Sequence, residues 1–210
     1  MTHRFQSDPS DTDSRFETVP VWDPFVRAFH WALVVLVCGA WGLGKWGPVD
    51  MSLHFWLGYG IGALVVARVF WGFFGPQTAR FASFVKGPGA IARYGRTLVS
   101  RKPSYTRGHN PVGALSVVLI LGLLAAQVGT GLVSDPDDYI NVGPFADWVG
   151  YENAVRAVDL HETLANLLLA LVIIHVLAIF WYRFWKRENL VTPMITGRAR
   201  LPRRAPMTQK

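Results

Sequence analysis

Charged residues and cysteine are both scarce in this sequence. Only 17% of its 210 residues are charged, whereas soluble domains are about a quarter charged. The net charge is nevertheless +7, and a nucleic-acid-binding domain with such a surplus of Lys and Arg would have a larger charged fraction. We therefore exclude nucleic acid as a partner. The single cysteine, Cys38, excludes an intramolecular disulfide framework, a cysteine-based zinc cluster and the Cys-x-x-Cys-His attachment of a c-type haem.

Four apolar stretches are long enough to cross a bilayer, which takes about 20 apolar residues in a helix. The first and the fourth lack the polar face of an amphipathic surface helix. The sequence therefore predicts an all-α fold, an integral membrane four-helix bundle with spans over residues 25–46, 53–75, 111–133 and 160–182.

The chain outside the spans is polar. Residues 1–20 contain acidic side chains where a signal peptide would have its apolar core, so we expect no cleaved signal peptide and interpret them as a disordered tail. The membrane domain is predicted over residues 21–190, and residues 191–210 form a basic tail.

The distribution of charge predicts the orientation in the membrane, because short cytoplasmic loops collect Lys and Arg. The connector between the second and third spans has seven basic residues and no acidic one, and the tail after the fourth span is also basic. The connector between the third and fourth spans has six acidic residues and one arginine. We therefore expect both termini in the cytoplasm and the acidic connector in the periplasm.

The basic connector is too long for a tight turn. Residues 88–100 predict a short amphipathic helix on the membrane surface, where Arg93 and Arg96 would meet anionic lipid headgroups. A solvated basic loop is the alternative. Membrane lipids are thus expected as partners of this region.

Four histidines lie within the spans or at their edges: His30, His54, His161 and His175. Ionisable side chains are costly at membrane depth, so each is a candidate functional residue. Alternating span directions place His30 and His175 toward the cytoplasm, and His54 and His161 toward the periplasm. The fourth-span histidines are separated by 14 residues, about 21 Å along a helix. That separation equals two heptads, which puts both on one face of the helix.

Paired imidazoles at two depths suit two haems b, each held by two axial histidines. Such ligation leaves no open iron position and favours electron transfer. A zinc or di-iron site would need ligands that converge on one metal, and the two fourth-span histidines are too far apart. A hydrogen bond between helices remains the alternative for any single histidine.

Three further residues are candidate contacts of the haem propionates. Arg27 lies one turn before His30, and Arg68 lies near the inner end of the second span. Either arginine could pair with a propionate on the cytoplasmic side, and Arg27 is the favoured one; either could reach lipid headgroups instead. His109, just before the third span, is interpreted as a helix cap or a propionate contact, and it remains an alternative ligand to His30.

Six segments of the chain carry a resemblance to a known family: VWDPFVRAFHW at 21–31, HFWLGYGIGALVVARVFWGFFGP at 54–76, ARFASFVKGP at 79–88, GHNPVGA at 108–114, LHETLANLLLALVIIHV at 160–176 and RENLVTPMITGRAR at 187–200. Together they resemble the b-type cytochrome subunit of nickel-iron hydrogenases, within the bacterial cytochrome b561 superfamily. The resemblance implies a di-haem electron carrier of the bacterial inner membrane, with His30, His54, His161 and His175 as haem ligands. It also implies a quinone as substrate or co-substrate, for which Lys45, Trp46 and His109 are candidate contacts.

The resemblance leaves the redox partner open. Similar proteins serve hydrogenases or periplasmic cytochromes, and some relatives pass electrons from superoxide to ubiquinone. The acidic connector favours a cationic partner such as a basic cytochrome c, because it would repel superoxide. Two other hypotheses are a membrane anchor for a soluble dehydrogenase and a transporter or proton channel that uses the four histidines as a relay.

Overall fold

A computed structural model describes residues 15–203 of the chain. Helices dominate this part, and one short β-ribbon joins its two ends. The elements in chain order are β1 (Phe16–Pro20), α1 (Pro24–Trp46), α2 (Ser52–Phe74), α3 (Phe81–Phe84), α4 (Pro88–Gly95), α5 (Pro111–Val133), α6 (Ala146–Val149), α7 (Tyr151–Phe184), α8 (Val191–Thr196) and β2 (Arg198–Pro202).

The helices α1, α2, α5 and α7 are long and apolar enough to cross a membrane, which confirms the four predicted spans. The local sequence explains where two of these helices, α1 and α5, begin. The Asp23 side chain accepts a hydrogen bond from the backbone N–H of Val26 at 3.1 Å, and the Asn110 side chain accepts one from Gly113 at 2.8 Å. A proline follows each cap at the first helical position, where its missing N–H costs nothing.

Helix α7 begins nine residues before the predicted fourth span, which is a correction to that boundary. Gly150 precedes the helix with a φ of 77°, so the chain turns sharply there. Ala154 and Ala157 are buried in the first turns, and the Ala154 carbonyl accepts a hydrogen bond from the Asp135 N–H at 3.1 Å. Contacts with the preceding connector thus stabilise a helical extension that is too polar to be recognised as part of a span.

The four long helices meet in one apolar cluster at mid-height, formed by Ala40 of α1, Ile61 and Val65 of α2, Leu124 of α5 and Leu168 of α7. Close backbone packing joins α1 to α2, α2 to α5, and α5 to α7. Within residues 15–203, α7 does not pack closely against α1 or α2.

Large apolar side chains also point outward from all four helices. Val35, Phe70, Leu119 and Ile174, one from each, are exposed. Soluble monomers rarely expose apolar surface of this extent, so the outer faces suit contact with lipid.

One end of the molecule, here called the ribbon end, consists of β1, β2 and residues 75–110. Strand β1 pairs antiparallel with β2, from Phe16 opposite Pro202 to Pro20 opposite Arg198. The Val21 N–H continues this contact by donating to the Gly197 carbonyl at 2.8 Å. The predicted disordered tail is therefore wrong for residues 16–20, because the C-terminal segment supplies a partner strand; residues 1–14 lie outside the described part.

Helix α4 covers Pro88–Gly95, the first part of the helix predicted over residues 88–100, and its contact with lipid remains a prediction. The turn that follows it is held by the end of α7. The Nε1 atoms of Trp181 and Trp185 donate to the carbonyls of Leu98 and Val99 at 3.1 and 3.0 Å. Lys186, only 1% exposed, donates through Nζ to the neighbouring Thr97 carbonyl at 3.1 Å.

The opposite end, here called the acidic end, consists of residues 47–51 and 134–159. Asn141 joins its two connectors, because its side chain donates to the Val49 carbonyl at 2.8 Å and accepts from the Met51 N–H at 2.9 Å. Asp138 accepts hydrogen bonds from the backbone and side chain of Asn141, and these lower the pKa of its carboxyl group. The Asp138 carboxyl group is therefore ionised at neutral pH.

Candidate haem-binding site

His54 and His161 lie together near the acidic end, as predicted. Their ring centroids are 6.0 Å apart, with an angle of 71° between the ring planes. His54 comes from the first turn of α2 and His161 from α7, two helices without close backbone packing. The two side chains thus meet between α2 and α7.

Each of these rings is oriented by a backbone carbonyl. The Nδ1 atom of His54 lies 2.9 Å from the Ala40 carbonyl oxygen, and Nδ1 of His161 lies 3.0 Å from that of Gln127. A carbonyl oxygen only accepts hydrogen bonds, so Nδ1 carries the proton in both rings. Nε2 is then the nitrogen left to bind a metal, the arrangement that metal-binding histidines use.

The His161 ring has a further polar neighbour and little free space on the α5 side. The Thr130 hydroxyl lies 3.1 Å from Nδ1. A Cβ atom at Gly131 would lie 3.0 Å from Cε1 of the ring and 3.3 Å from Nδ1. Glycine at this position therefore leaves the room in which the imidazole sits.

His30 of α1 and His175 of α7 lie nearer the ribbon end and are close enough to interact electrostatically. The structure thus brings together the second predicted pair as well. Nδ1 of His30 is buried and has no hydrogen-bond partner among the described residues. This pair differs from the first, in which both rings are already oriented.

The two arginines near this second pair differ in burial and in hydrogen bonding. Arg68 is 2% exposed; its Nη2 donates to the Ala79 carbonyl at 3.1 Å, while its buried Nη1 has no partner within the described chain. Arg27 donates through Nη1 to the Ile195 carbonyl at 2.7 Å and so holds α8. Arg68 is therefore the stronger candidate for an anionic partner, although the sequence favours Arg27.

His109 is buried at the ribbon end between two aromatic rings. Its ring centroid lies 4.6 Å from those of Trp22 and Phe84, and it interacts electrostatically with Arg68 and His175. Burial, followed by the positive charge of Arg68, lowers the pKa of His109 to about 3. The ring is therefore neutral. The expectation that it caps α5 is wrong, because Asn110 provides the cap.

These residues fit haem on three counts. His54 and His161 donate through Nδ1 and leave Nε2 for iron. Buried N–H groups of Arg68 and Arg27 have no partner among residues 15–203, as donors for a propionate would before the cofactor binds. Helix α7, which carries one histidine of each pair, does not pack closely within the described residues against α1 or α2, which carry the other two.

Some supporting residues were not recognised in the sequence. Gln127 and Thr130 are polar residues one turn apart within the apolar third span, and this pattern could have indicated a polar contact there. The Ala40 carbonyl gives no such signal, because any residue has one. At the ribbon end, Tyr182 bonds the Tyr94 hydroxyl at 2.9 Å and accepts from the Asn110 side chain at 3.1 Å.

Four apolar helices with histidines facing each other between them are typical of a membrane-embedded cytochrome b. The chain belongs to the prokaryotic cytochrome b561 family, whose model matches residues 21–197. Comparison with curated proteins and with solved structures found no match. Family membership implies haem b binding and electron transfer, and the chain is a multi-pass protein of the bacterial inner membrane.

Proposed function

We propose that this protein carries electrons across the inner membrane through two haems b, between the quinone pool and a redox partner in the periplasm. His54 and His161 would bind one haem near the acidic end, and His30 and His175 the other near the ribbon end. The observation that carries the proposal is the facing pair of rings at His54 and His161, whose centroids are 6.0 Å apart and whose Nδ1 atoms are hydrogen-bonded to carbonyls.

The orientation in this proposal rests on charge. The seven basic residues between α2 and α5 lie at the ribbon end, which would therefore face the cytoplasm. The acidic end would face the periplasm.

His54 and His161 would hold one haem and His30 and His175 the other, and the bound group would supply one-electron transfer. The chain's own residues position and shield the two sites. The carbonyls of Ala40 and Gln127 orient the ligands near the acidic end, and Arg68 supplies a positive charge near the other pair. The apolar cluster around Leu168, seven residues from each α7 histidine, excludes water between the sites.

The acidic end supports a cationic periplasmic partner. Among ion pairs formed by described residues, Glu152 is bound to Arg156 at 3.4 Å and Glu162 to Lys45 at 3.1 Å, while Asp137 and Asp138 form none. A basic cytochrome c would be attracted by this surface, and superoxide would be repelled. Oxidation of superoxide with reduction of ubiquinone is therefore the second candidate function. A hydrogenase is the alternative redox partner at the acidic end.

Haem content and single histidine replacements test the proposal. The purified protein should show a b-type reduced-minus-oxidised spectrum with two haems per chain. His54→Ala and His161→Ala should each remove the same haem, and His30→Ala and His175→Ala should each remove the other. A colourless protein would favour a histidine relay in a channel, and intact electron transfer in His54→Ala or His175→Ala would favour a membrane anchor.

The pairing is a separate outcome of that experiment. If His30→Ala and His161→Ala emptied the same site, the proposed arrangement of the spans would be wrong. If His109→Ala removed a haem and His30→Ala removed none, His109 would replace His30 as the ligand.

A further inference from the structure

The residues that follow α7 bind the start of α1 at the ribbon end. These residues, 185–202, include α8 and β2 and are called here the strap. The Ile195 carbonyl accepts a hydrogen bond from Nη1 of Arg27 at 2.7 Å, and the Met194 carbonyl accepts one from Nε1 of Trp31 at 3.4 Å. The strap therefore connects the helix that carries His175 to the helix that carries His30.

Other contacts between α1 and α7 lie farther from this histidine pair. Within residues 15–203 the two helices do not pack closely through their backbones. Side chains of the central cluster join them at mid-height, and Lys45 pairs with Glu162 at 3.1 Å near the acidic end. At the ribbon end, hydrogen bonds from α1 go to the strap. The strap is therefore in a position to set the spacing of the helices there.

The end of α8 explains why the strap has carbonyls to offer. The last carbonyls of a helix have no partner within it. Gly197 ends α8 with a φ of 79°, a conformation that glycine adopts without strain. Its carbonyl then accepts from the N–H groups of Val21 and Trp22 at 2.8 and 3.2 Å. The turn at Gly197 thus aims the end of α8 at the start of α1.

The other half of the strap is fixed to the end of α7 and to the connector before α5. The Glu188 N–H donates to the Tyr182 carbonyl at 2.9 Å, and its carboxylate accepts from the N–H and the hydroxyl of Ser104 at 2.8 and 2.9 Å. Oδ1 of Asn189 accepts from the first two N–H groups of α8 at 3.0 and 3.1 Å, which stabilises the start of this helix. Because both halves are held, the strap can fix α1 relative to α7.

The two α1 residues that bind the strap lie on either side of His30 in the sequence. Arg27 and Trp31 are four residues apart and so share one face of α1. The ring centroids of His30 and Trp31 are 5.1 Å apart, with an angle of 89° between the planes. Nδ1 of His30 has no hydrogen-bond partner among the described residues. No backbone carbonyl of residues 15–203 therefore orients this ring, in contrast to the rings of the pair near the acidic end.

We propose that the strap positions His30 opposite His175, and that Arg27 and Trp31 act on this pair as positioning residues through α1. This inference rests on the proposed function, in which the pair holds the haem near the ribbon end. Ligands on two separate helices bind well only while the surrounding contacts hold their geometry. Loosening the strap should therefore weaken this haem site and leave the other one unchanged.

The test uses the full chain with its haems in lipid nanodiscs, and it has two readouts. One is the rate at which each haem transfers to excess apomyoglobin. The other is the electron paramagnetic resonance spectrum of the oxidised protein, which depends on the angle between the two imidazole planes at each iron. The single histidine variants described above assign each signal to its site. Arg27→Met removes the donor to Ile195; it should speed release of the haem near the ribbon end about tenfold and shift its resonance signal.

Three more variants make the result specific to the strap. Asn189→Ala removes the acceptor at the start of α8 without changing α1, and it should speed release of the same haem about fivefold. Asn189→Asp keeps an acceptor and should stay within about twofold of the original rate. Arg183→Met makes the same chemical change as Arg27→Met at an exposed residue in the last turn of α7 and should alter neither readout.

The outcomes separate a positioning role from a role of charge. If Arg27→Met lowers the midpoint potential of this haem but leaves its resonance signal and release rate unchanged, Arg27 acts through its charge and the inference is overturned. If Asn189→Ala leaves both readouts unchanged, the strap does not position the pair, and this result decides the question even where Arg27→Met does not fold. In a protein that binds two haems, either result overturns the inference alone. A protein that binds no haem overturns the proposed function as well.

Discussion

Gly131 offers a sharp test of the His161 site, because one methyl group at this position would meet the imidazole. In Gly131→Ala the new Cβ would lie 3.0 Å from Cε1 of His161, whereas carbon atoms pack best at about 3.5–4.0 Å. The ring would have to move away from α5 by roughly 0.5 Å. That movement would lengthen its hydrogen bonds to Gln127 and Thr130, now 3.0 and 3.1 Å.

The expected size of the effect follows from these two contacts. Losing an orienting hydrogen bond to a metal-bound histidine typically lowers metal affinity by 10–100-fold, which corresponds to about 1.4–2.8 kcal/mol. Gly131→Ala should therefore lose the haem at the His54 and His161 site on dilution in detergent, while the haem at the other pair remains. Haem per chain and the reduced-minus-oxidised spectrum measure this loss.

Gly129→Ala is the matched control. It makes the same change two residues earlier on α5, where a Cβ would meet no atom of residues 15–203 within 4 Å. Both substitutions raise helix propensity by about 1 kcal/mol, so that contribution cancels in the comparison. Gly129→Ala should keep both haems. If Gly131→Ala also kept both with unchanged affinity, or lost the haem at the other pair, the assignment of His161 as an oriented ligand would be refuted.

Three further predictions concern the two ends of the molecule. Gly197 has a φ of 79°, and a Cβ there would lie 2.8 Å from the Trp22 carbonyl oxygen. Gly197→Ala should therefore destabilise the docked C-terminal segment by at least about 1–2 kcal/mol. Faster tryptic cleavage after Arg198 would show this, and an unchanged cleavage rate would contradict it. Arg68→Met should lower the midpoint potential of one haem by on the order of 50 mV, or ~1 kcal/mol, because a nearby cation stabilises the reduced state. If a redox titration gave the same potentials for the variant and the original protein, Arg68 would not lie near a haem. Electron transfer to a basic cytochrome c should slow as salt rises from about 20 to 200 mM, because the Debye length at 0.1 M is about 10 Å; a salt-independent rate would argue against docking at the acidic end.

Local patterns in the sequence were sufficient to predict the four spans and which histidines lie near each other. A run of about 20 apolar residues has few structural alternatives in a bilayer, and successive spans must alternate in direction. The spacing of His161 and His175 on one helix then predicts two sites at different depths in the membrane. The positions of His30 and His54 along their own spans decide which of these two histidines each one faces. The structure brings both predicted pairs together.

Other features depend on contacts between residues far apart in the chain. Residues 16–20 have no strand partner until β2 reaches them, and the first turns of α7 need the connector against which Ala154 packs. The sequence favours Arg27 over Arg68 as an anion contact, because Arg27 lies one turn before His30. Only the fold gives Arg27 the Ile195 carbonyl as a partner and leaves Nη1 of Arg68 buried without one.

The sequence by itself determined that this is a four-span membrane protein with paired histidines, because hydrophobic length and helical periodicity act over neighbouring residues. Tertiary structure alone decided which atoms remain available for a cofactor or a ligand. The Ala40 and Gln127 carbonyls assign the protons of two rings, and the Ile195 carbonyl occupies one N–H group of Arg27. The physical reason is that hydrogen bonds between distant residues depend on contacts, which composition and spacing do not specify.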